Sequence, residues 1–161
     1  MKVMIAALGA TAGLTAGCAT TPPKPIADAA ITYETAPCFG TCPVYAVMIR
    51  PDGSGTFEGK RFTAVTGLRT FQAPPQAYRD FAARLAPYRP AGERLIQPGG
   101  AGCGNAPTDM PSTDVRWSGG AHLHFYRGCR SENEALAAAL ETAPTMLPIA
   151  DMIGKPATVG R

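Results

Sequence analysis

Glycine and proline restrict this chain more than any other feature, because they make up 18 and 16 of its 161 residues. Each interrupts long helices, glycine through its backbone entropy and proline through its missing N–H, so the composition excludes a helical bundle. No Gly-X-Y repeat is present, which excludes a collagen. With 45% hydrophobic and 17% charged residues, the chain is too apolar to be disordered and too polar for a multi-span membrane protein. One folded domain rich in turns is expected.

The first 17 residues predict a secretory signal peptide. Lys2 is followed by an apolar run, Val3–Gly13, and then by small residues, which is the usual order of such a peptide. The run is too short and too rich in Gly, Ala and Thr for a stable membrane span. Ala16-Gly17-Cys18 resembles the lipobox of bacterial lipoproteins, with Thr15 in place of the more usual Leu. That resemblance implies cleavage before Cys18 and lipidation of this cysteine; the alternative is an ordinary secretory peptide.

The residues after Cys18 predict a tether and a location. Residues 18–29 contain Pro22, Pro23 and Pro25 and little that could pack, so they are expected to be extended, at about 3 Å per residue. Ala19 stands where an Asp commonly signals inner-membrane retention, so the lipoprotein resemblance implies the outer membrane, facing the periplasm. A single domain over 30–153 and a polar tail over 154–161 complete the predicted organisation.

The four cysteines that remain after lipidation are an even number in an oxidising compartment, so two disulfides are expected. Cys38 and Cys42 are four residues apart with Gly40 between them, and a tight turn can bring such cysteines within bonding range. We therefore favour Cys38–Cys42 with Cys103–Cys129. The two crossed pairings stay open.

Two chemical alternatives for the cysteines are less favoured. A redox-active pair usually has the form Cys-x-x-Cys at the start of a helix, whereas three residues separate Cys38 from Cys42. A zinc site would use Cys103 and Cys129 with His122 and His124, but Cys103 has no nearby partner of the Cys-x-x-Cys type. We therefore predict no metal and no cofactor.

The hydrophobic pattern predicts an α+β domain with an antiparallel sheet of about six strands, a meander plus a hairpin, and two main helices packed on one face. The predicted strands are 30–34, 44–50, 55–59, 61–66 with 68–71, 113–117 and 122–126. Apolar spacing predicts a helix over 74–88, a capping box at Ser131–Glu134 predicts a second helix to about Thr142, and a short helix is expected over 148–153. Residues 90–112 are predicted to be a long glycine-rich loop.

The register of the second hairpin decides which side chains share a face. A two-residue loop at 119–120 would mix apolar and imidazole groups on one face. A three-residue loop at 119–121 pairs Trp117 with Leu123 and Val115 with Phe125, and we favour it. The polar face would then carry Arg116, His122, His124 and Tyr126.

Several motifs resemble one known family. They are Cys38-Phe39-Gly40-Thr41-Cys42-Pro43-Val44-Tyr45, the Asp52-Gly53 turn, Phe57-Glu58-Gly59, and Thr108-Asp109-Met110-Pro111-Ser112-Thr113. Together they resemble domain of unknown function 6438, a bacterial family often found on secreted or lipidated proteins, over about residues 30–150. The resemblance implies domain limits and no established activity, and Cys103 and Cys129 depart from its minimal pattern.

The function expected from the sequence is a membrane-tethered, non-catalytic binding or envelope-associated module with a protein or peptide partner. A formal net charge of +3 gives no reason to expect nucleic acid. The candidate binding residues are Asp109, Thr113, His122 and His124. Asp109 and Asp114 could join the two histidines in an acid/base cluster only if the loop folds over the polar face.

Other functions stay open. A thiol-disulfide enzyme would use Cys38 and Cys42, and a small hydrolytic enzyme would use Asp109 with His124. A purely structural envelope protein is the third possibility.

Overall fold

A seven-stranded open sheet organises the domain in the computed structural model, which describes residues 30–154. The predicted signal peptide, the predicted lipid anchor at Cys18, the predicted tether and the residues after Gly154 lie outside these residues. The strand order is β4-β3-β2-β1-β6-β7-β5. The strands are β1 Ile31–Thr35, β2 Val44–Ile49, β3 Ser54–Arg61, β4 Gly67–Gln72, β5 Glu93–Ile96, β6 Ser112–Trp117 and β7 His122–Tyr126.

The first four strands form the predicted antiparallel meander. The turn between β2 and β3 depends on Gly53, whose φ of +84° is one that residues with a Cβ rarely adopt. Asp52 stabilises this turn because its Oδ1 accepts a hydrogen bond of 2.9 Å from the Ser54 N–H. Strand β1 then pairs on its other side with β6, which places the N-terminal strand of the domain in the middle of the sheet.

The sheet is mixed and has seven strands, so the prediction of about six purely antiparallel strands was wrong. The missing strand is β5, which lies within the segment predicted to be a loop and pairs parallel to β7. It escaped prediction because it has four residues, of which Ile96 alone is buried, and shows no apolar alternation. Helix α1 lies between β4 and β5 in the chain, and these two strands form the opposite edges of the sheet.

Two main helices, α1 (Pro75–Leu85) and α2 (Glu134–Thr142), pack on the sheet as predicted. A short α3 covers Ala150–Ile153, and 3₁₀ turns occupy Ala86–Tyr88, Arg127–Glu132 and Ala143–Met146. The predicted capping box is absent, since Ser131 lies inside the second 3₁₀ turn. Asn133 precedes α2 instead, and its side chain donates to the carbonyls of Gly102 and Cys129.

Alternating strand residues face the helices and form the core, as period-two side-chain alternation requires. The largest side chains that are less than 2% exposed are Tyr33, Phe57, Phe81, Phe125, Ile49, Leu85, Ile96, Leu123, Leu140, Ile149, Val47 and Val115. The intervening strand residues lie on the opposite sheet face, which we call the open face.

The second hairpin has the predicted faces with a different register. Val115 pairs with Leu123 and Arg116 with His122, two residues away from the predicted pairing. The loop is Ser118-Gly119-Gly120, because the Trp117 N–H bonds the Ala121 carbonyl at 2.9 Å. A shift of two residues preserves the face of every side chain, so the two histidines still share the polar side.

Both favoured disulfides are present. Cys38 bonds Cys42, and Cys103 bonds Cys129 with a sequence separation of 26. The second bridge is buried, with both cysteines 2% exposed, and it ties the glycine-rich segment before β6 to the turn after β7.

Candidate functional site

Two adjoining cavities lie at the end of the sheet where β1 ends and β2 and β6 begin. They enclose about 360 Å³ and about 460 Å³. Their shared wall consists of Cys42, Pro111, Arg127 and Glu141. We call the pair the Arg127 groove, because this residue of the turn after β7 lines both parts.

The larger part of the groove is apolar and lies between the sheet end and the C-terminal helices. Its other walls are Tyr33, Thr35, Pro43, Tyr45, Pro144, Thr145, Ala150 and Ile153. The hydroxyl of Thr35 donates to the Pro43 carbonyl at 2.8 Å, and that of Thr145 donates to the Thr142 carbonyl at 2.7 Å. These two hydroxyl protons are therefore engaged within the protein.

Arg127 supplies the positive charge of the groove. Its side chain is 30% exposed, and its Nη1 lies 3.8 Å from Glu141 Oε1, which is too far for a direct hydrogen bond. That same oxygen accepts a direct hydrogen bond from Arg130. Since a guanidinium has five N–H donors, Arg127 keeps donors that its ion pair with Glu141 does not use.

Two tyrosines lie beside this guanidinium. Burial raises the pKa of Tyr33 above its ordinary value, and Arg127 partly opposes the rise. Burial also raises the pKa of Tyr45, again with Arg127 acting in the other direction. Both side chains are therefore neutral phenols at any ordinary pH and can act as hydrogen-bond donors.

The rim of the smaller part is formed by the disulfide loop between β1 and β2 and by the segment before β6. Phe39, at the tip of the disulfide loop, is 88% exposed, and its N–H bonds the Asp109 carbonyl at 3.0 Å. Tyr126 holds the second segment, because its hydroxyl donates to the Pro107 carbonyl at 2.9 Å and accepts from the Met110 N–H at 3.0 Å. The rim therefore presents the exposed ring of Phe39 on a loop that is held by the Cys38–Cys42 disulfide and by the hydrogen bond to Asp109.

A separate polar cluster lies on the open face. Asp114 Oδ1 is 2.7 Å from His122 Nε2 and 3.2 Å from His124 Nδ1, and His122 Nδ1 is 3.0 Å from Glu93 Oε1. Burial raises the pKa of Asp114, but hydrogen bonds from both histidines outweigh it, so the pKa lies below its ordinary value. A neutral imidazole has one N–H, whereas the imidazolium form of His122 donates to both carboxylates.

Charged residues extend this cluster along the open face. Arg116 lies 3.4 Å from Asp114 and 3.7 Å from Glu34, and Glu34 also contacts Lys60. Arg116 thus links β6 to the neighbouring strand β1, and Lys60 reaches Glu34 across β2. Glu34 lies directly opposite Asp114, so these cations offset the repulsion that two facing carboxylates would otherwise cause.

The structure separates the predicted site residues. His122 and His124 lie together on the open face with Asp114, as their alternation predicted. Asp109 lines the smaller part of the groove, so it does not join the histidines. Thr113 is fully buried at the covered face, and its hydroxyl has no hydrogen-bond partner within residues 30–154.

Sequence reasoning missed the central groove residues, Tyr33, Arg127 and Glu141. They are separated by up to 108 positions along the chain, and each belongs to an ordinary strand, turn or helix pattern. Two motifs quoted from the sequence, Cys38–Tyr45 and Thr108–Thr113, contribute residues to the groove, but neither motif identified these three partners.

No group of three His, Cys, Asp or Glu side chains within the described range is arranged to hold a metal ion. No helix in residues 30–154 is both long and apolar enough to cross a membrane.

The fold and the groove define a small α+β domain held by two disulfides. The model of the family "Domain of unknown function (DUF6438)" matches residues 29–147. This match covers more than half of the chain, so the chain belongs to that family, and the resemblance inferred from the Cys38–Tyr45 motif is confirmed. Comparison with curated proteins found no match, and comparison with solved structures found none.

Proposed function

We propose that the chain is a lipoprotein of the bacterial envelope, anchored through Cys18 to the outer membrane and facing the periplasm, and that its domain is a non-catalytic binding module. The observation that carries the binding function is the Arg127 groove. Its two parts have volumes within the range of about 300–1,000 Å³ that is usual for ligand sites. A mainly apolar wall with a few polar groups is also usual for such sites.

The groups around the groove favour binding over catalysis. Cys38 and Cys42 form a disulfide in a segment outside the helices, unlike a thiol at a helix start. The hydroxyl of Thr35 is engaged with a carbonyl, and no histidine lines either part of the groove in the described structure. These features support a site that holds a ligand without transforming it.

The exposed ring of Phe39 gives a direct test of binding in the cell. A photoreactive residue in place of Phe39 is expected to capture a reproducible partner or envelope component in intact cells. The same residue in place of Leu68 is the matched control, because Leu68 is also exposed, at 63%, and lies on the edge strand β4 away from the groove. Equal capture at both positions, or none at Phe39, would contradict the proposal.

The lipid anchor is tested separately. The Cys18→Ser variant is expected to leave the membrane fraction, whereas the Cys38→Ser/Cys42→Ser variant is expected to remain there. Mass spectrometry of the native N-terminus is expected to show acyl chains on Cys18. Recovery of native protein with an unmodified N-terminus would rule out the anchor without affecting the binding test.

A further inference from the structure

We propose that the Arg127 groove binds a small apolar carboxylic acid, with the guanidinium of Arg127 and the hydroxyl of Tyr45 as the donors to its carboxylate. This inference rests on the proposed binding function and specifies the chemical class of the ligand.

The first step is the state of Arg127. The carboxylate within ion-pair distance of it in the described structure, Glu141, makes its direct hydrogen bond to Arg130. Arg127 is therefore a half-buried cation that lines two cavities. Some of its five N–H hydrogen-bond donors are not used by the ion pair with Glu141. Such a cation is stabilised by an anion that forms charge-assisted, bidentate hydrogen bonds with its planar fork.

The second donor is Tyr45. Its side chain is 6% exposed and lines the larger part of the groove. The hydroxyl of Tyr33 donates to the Leu140 carbonyl at 2.8 Å, but that of Tyr45 has no hydrogen-bond partner within residues 30–154. Among residues 30–154 the Thr113 hydroxyl is the one buried side-chain polar atom without a partner, so the Tyr45 hydroxyl is accessible from the groove and can donate to a carboxylate oxygen there.

The walls indicate why the rest of the ligand is apolar and not a peptide. Pro43, Pro111 and Pro144 line the larger part, and proline has no N–H to offer a peptide carbonyl. The nearby hydroxyls of Thr35 and Thr145 already donate to carbonyls of the protein. A peptide backbone would lose hydrogen bonds here, whereas an aliphatic or aromatic body would lose none.

Calorimetry with matched ligands tests the proposal on the native protein. The mature lipidated chain in lipid nanodiscs is titrated with octanoate, octanamide and octylamine, and empty nanodiscs give the blank. Octanoate is expected to bind about tenfold or more tightly than octanamide, because the charge-assisted hydrogen bonds are lost with the neutral head group. Equal affinity for acid and amide, or tighter binding of the amine, would overturn the proposal.

Two variants assign the donors. Arg127→Gln is expected to weaken octanoate binding about tenfold while octanamide binding stays unchanged, and Tyr45→Phe is expected to have a smaller effect in the same direction. Arg116→Gln, on the open face, is the matched control and is expected to bind octanoate as the native chain does. The comparison of the three ligands on the native protein needs no variant, so it decides the question even if Arg127→Gln does not fold.

The results of these experiments distinguish failure of the proposed ligand class from failure of the proposed binding function. If Phe39 captures a partner in cells but octanoate shows no preference over octanamide, the ligand class is wrong and the binding module stands. If octanoate binds tightly and Arg127→Gln has no effect, the site assignment is wrong. Failure of both the capture and the titration would contradict the binding function and the ligand class together.

Discussion

The hydroxyl of Tyr33 donates a hydrogen bond of 2.8 Å to the carbonyl of Leu140 and so joins the central strand β1 to helix α2. In a continuous helix this carbonyl would accept from the N–H four residues later. That residue is Pro144, which has no N–H. The strand tyrosine therefore supplies the donor that the helix end lacks, in a site where Tyr33 is 1% exposed.

Replacing Tyr33 by Phe is expected to destabilise the domain by about 1–2 kcal/mol, because the Leu140 carbonyl would be buried without a partner. Denaturant unfolding of the two proteins measures the difference. Tyr88→Phe is the matched control, since Tyr88 is only half buried, and is expected to change the free energy of unfolding much less. Equal effects of the two substitutions would mean that the hydrogen bond is unimportant.

The two disulfides are expected to differ in both accessibility and stabilising effect. Cys103–Cys129 is buried, whereas Cys38 and Cys42 are partly exposed, so mild reductant should open Cys38–Cys42 first under native conditions. The chain-entropy model gives about 3.5 kcal/mol for the longer loop and about 2 kcal/mol for the shorter. Alkylation followed by mass spectrometry gives the order of reduction, and paired Cys→Ala variants give the stabilities. Reduction of the buried bridge first would contradict this expectation.

Two glycines give a matched pair for backbone effects. A Cβ on Gly53 would overlap the carbonyl oxygen of Ala73, and its φ is +84°, so Gly53→Ala is expected to cost more than about 2 kcal/mol. A Cβ on Gly92 would meet nothing within 4 Å, and Gly92→Ala is expected to be neutral or to stabilise by about 0.4–1 kcal/mol. Thermal unfolding of both variants tests the contrast. A similar loss in both would show that strain at Gly53 is not the cause.

The sequence was sufficient for features that depend on local patterns. The meander, both main helices and the shared polar face of His122 and His124 follow from apolar periodicity and turn residues. The hairpin register does not, because Ser118 and Ala121 are both compatible with a loop position. The register depends on whether Ala121 is a loop residue or is buried. Ala121 is 4% exposed and pairs with Trp117, so the loop is Ser118-Gly119-Gly120.

Features that depend on distant packing could not be predicted. Strand β5 has little apolar pattern of its own. It forms through backbone pairing with the edge of β7, which a local sequence pattern does not predict. The grouping of Tyr33 with Arg127 and Glu141 requires the chain to return to the sheet end after the second hairpin. Asp114 was identifiable from its alternation with Arg116, whereas the loop residue Asp109 carries no such signal, so its position depended on the fold.

The open-face cluster is expected to make stability depend on acid pH. Because the pKa of Asp114 is lowered in the folded state, the carboxylate contributes stability above its unfolded value of about 3.9. That contribution is lost as the pH falls through the lower folded pKa. The Asp114→Asn variant should therefore be less stable than the native chain at neutral pH, and the difference should shrink below about pH 4.

Unfolding free energies measured across this pH range test the effect of Asp114. Asp80→Asn, on the exposed side of α1, is the control for losing a surface carboxylate. If the Asp114→Asn difference does not change with acid pH, the hydrogen bonds from His122 and His124 do not stabilise its charged form.

Tyr126 is expected to control the mobility of the groove rim with little effect on the whole domain. Its hydroxyl holds both the Pro107 carbonyl and the Met110 N–H, and the adjacent Asp109 carbonyl in turn holds Phe39. In Tyr126→Phe the Met110 amide should exchange its hydrogen about tenfold faster, because the segment opens locally without global unfolding. The global free energy of unfolding should fall by about 1 kcal/mol or less, since these hydrogen bonds are exposed to solvent. Hydrogen-exchange mass spectrometry resolves the two effects, with Tyr88→Phe as control. Faster exchange throughout the sheet, or unchanged exchange at Met110, would show that Tyr126 does not act as a local anchor of the rim.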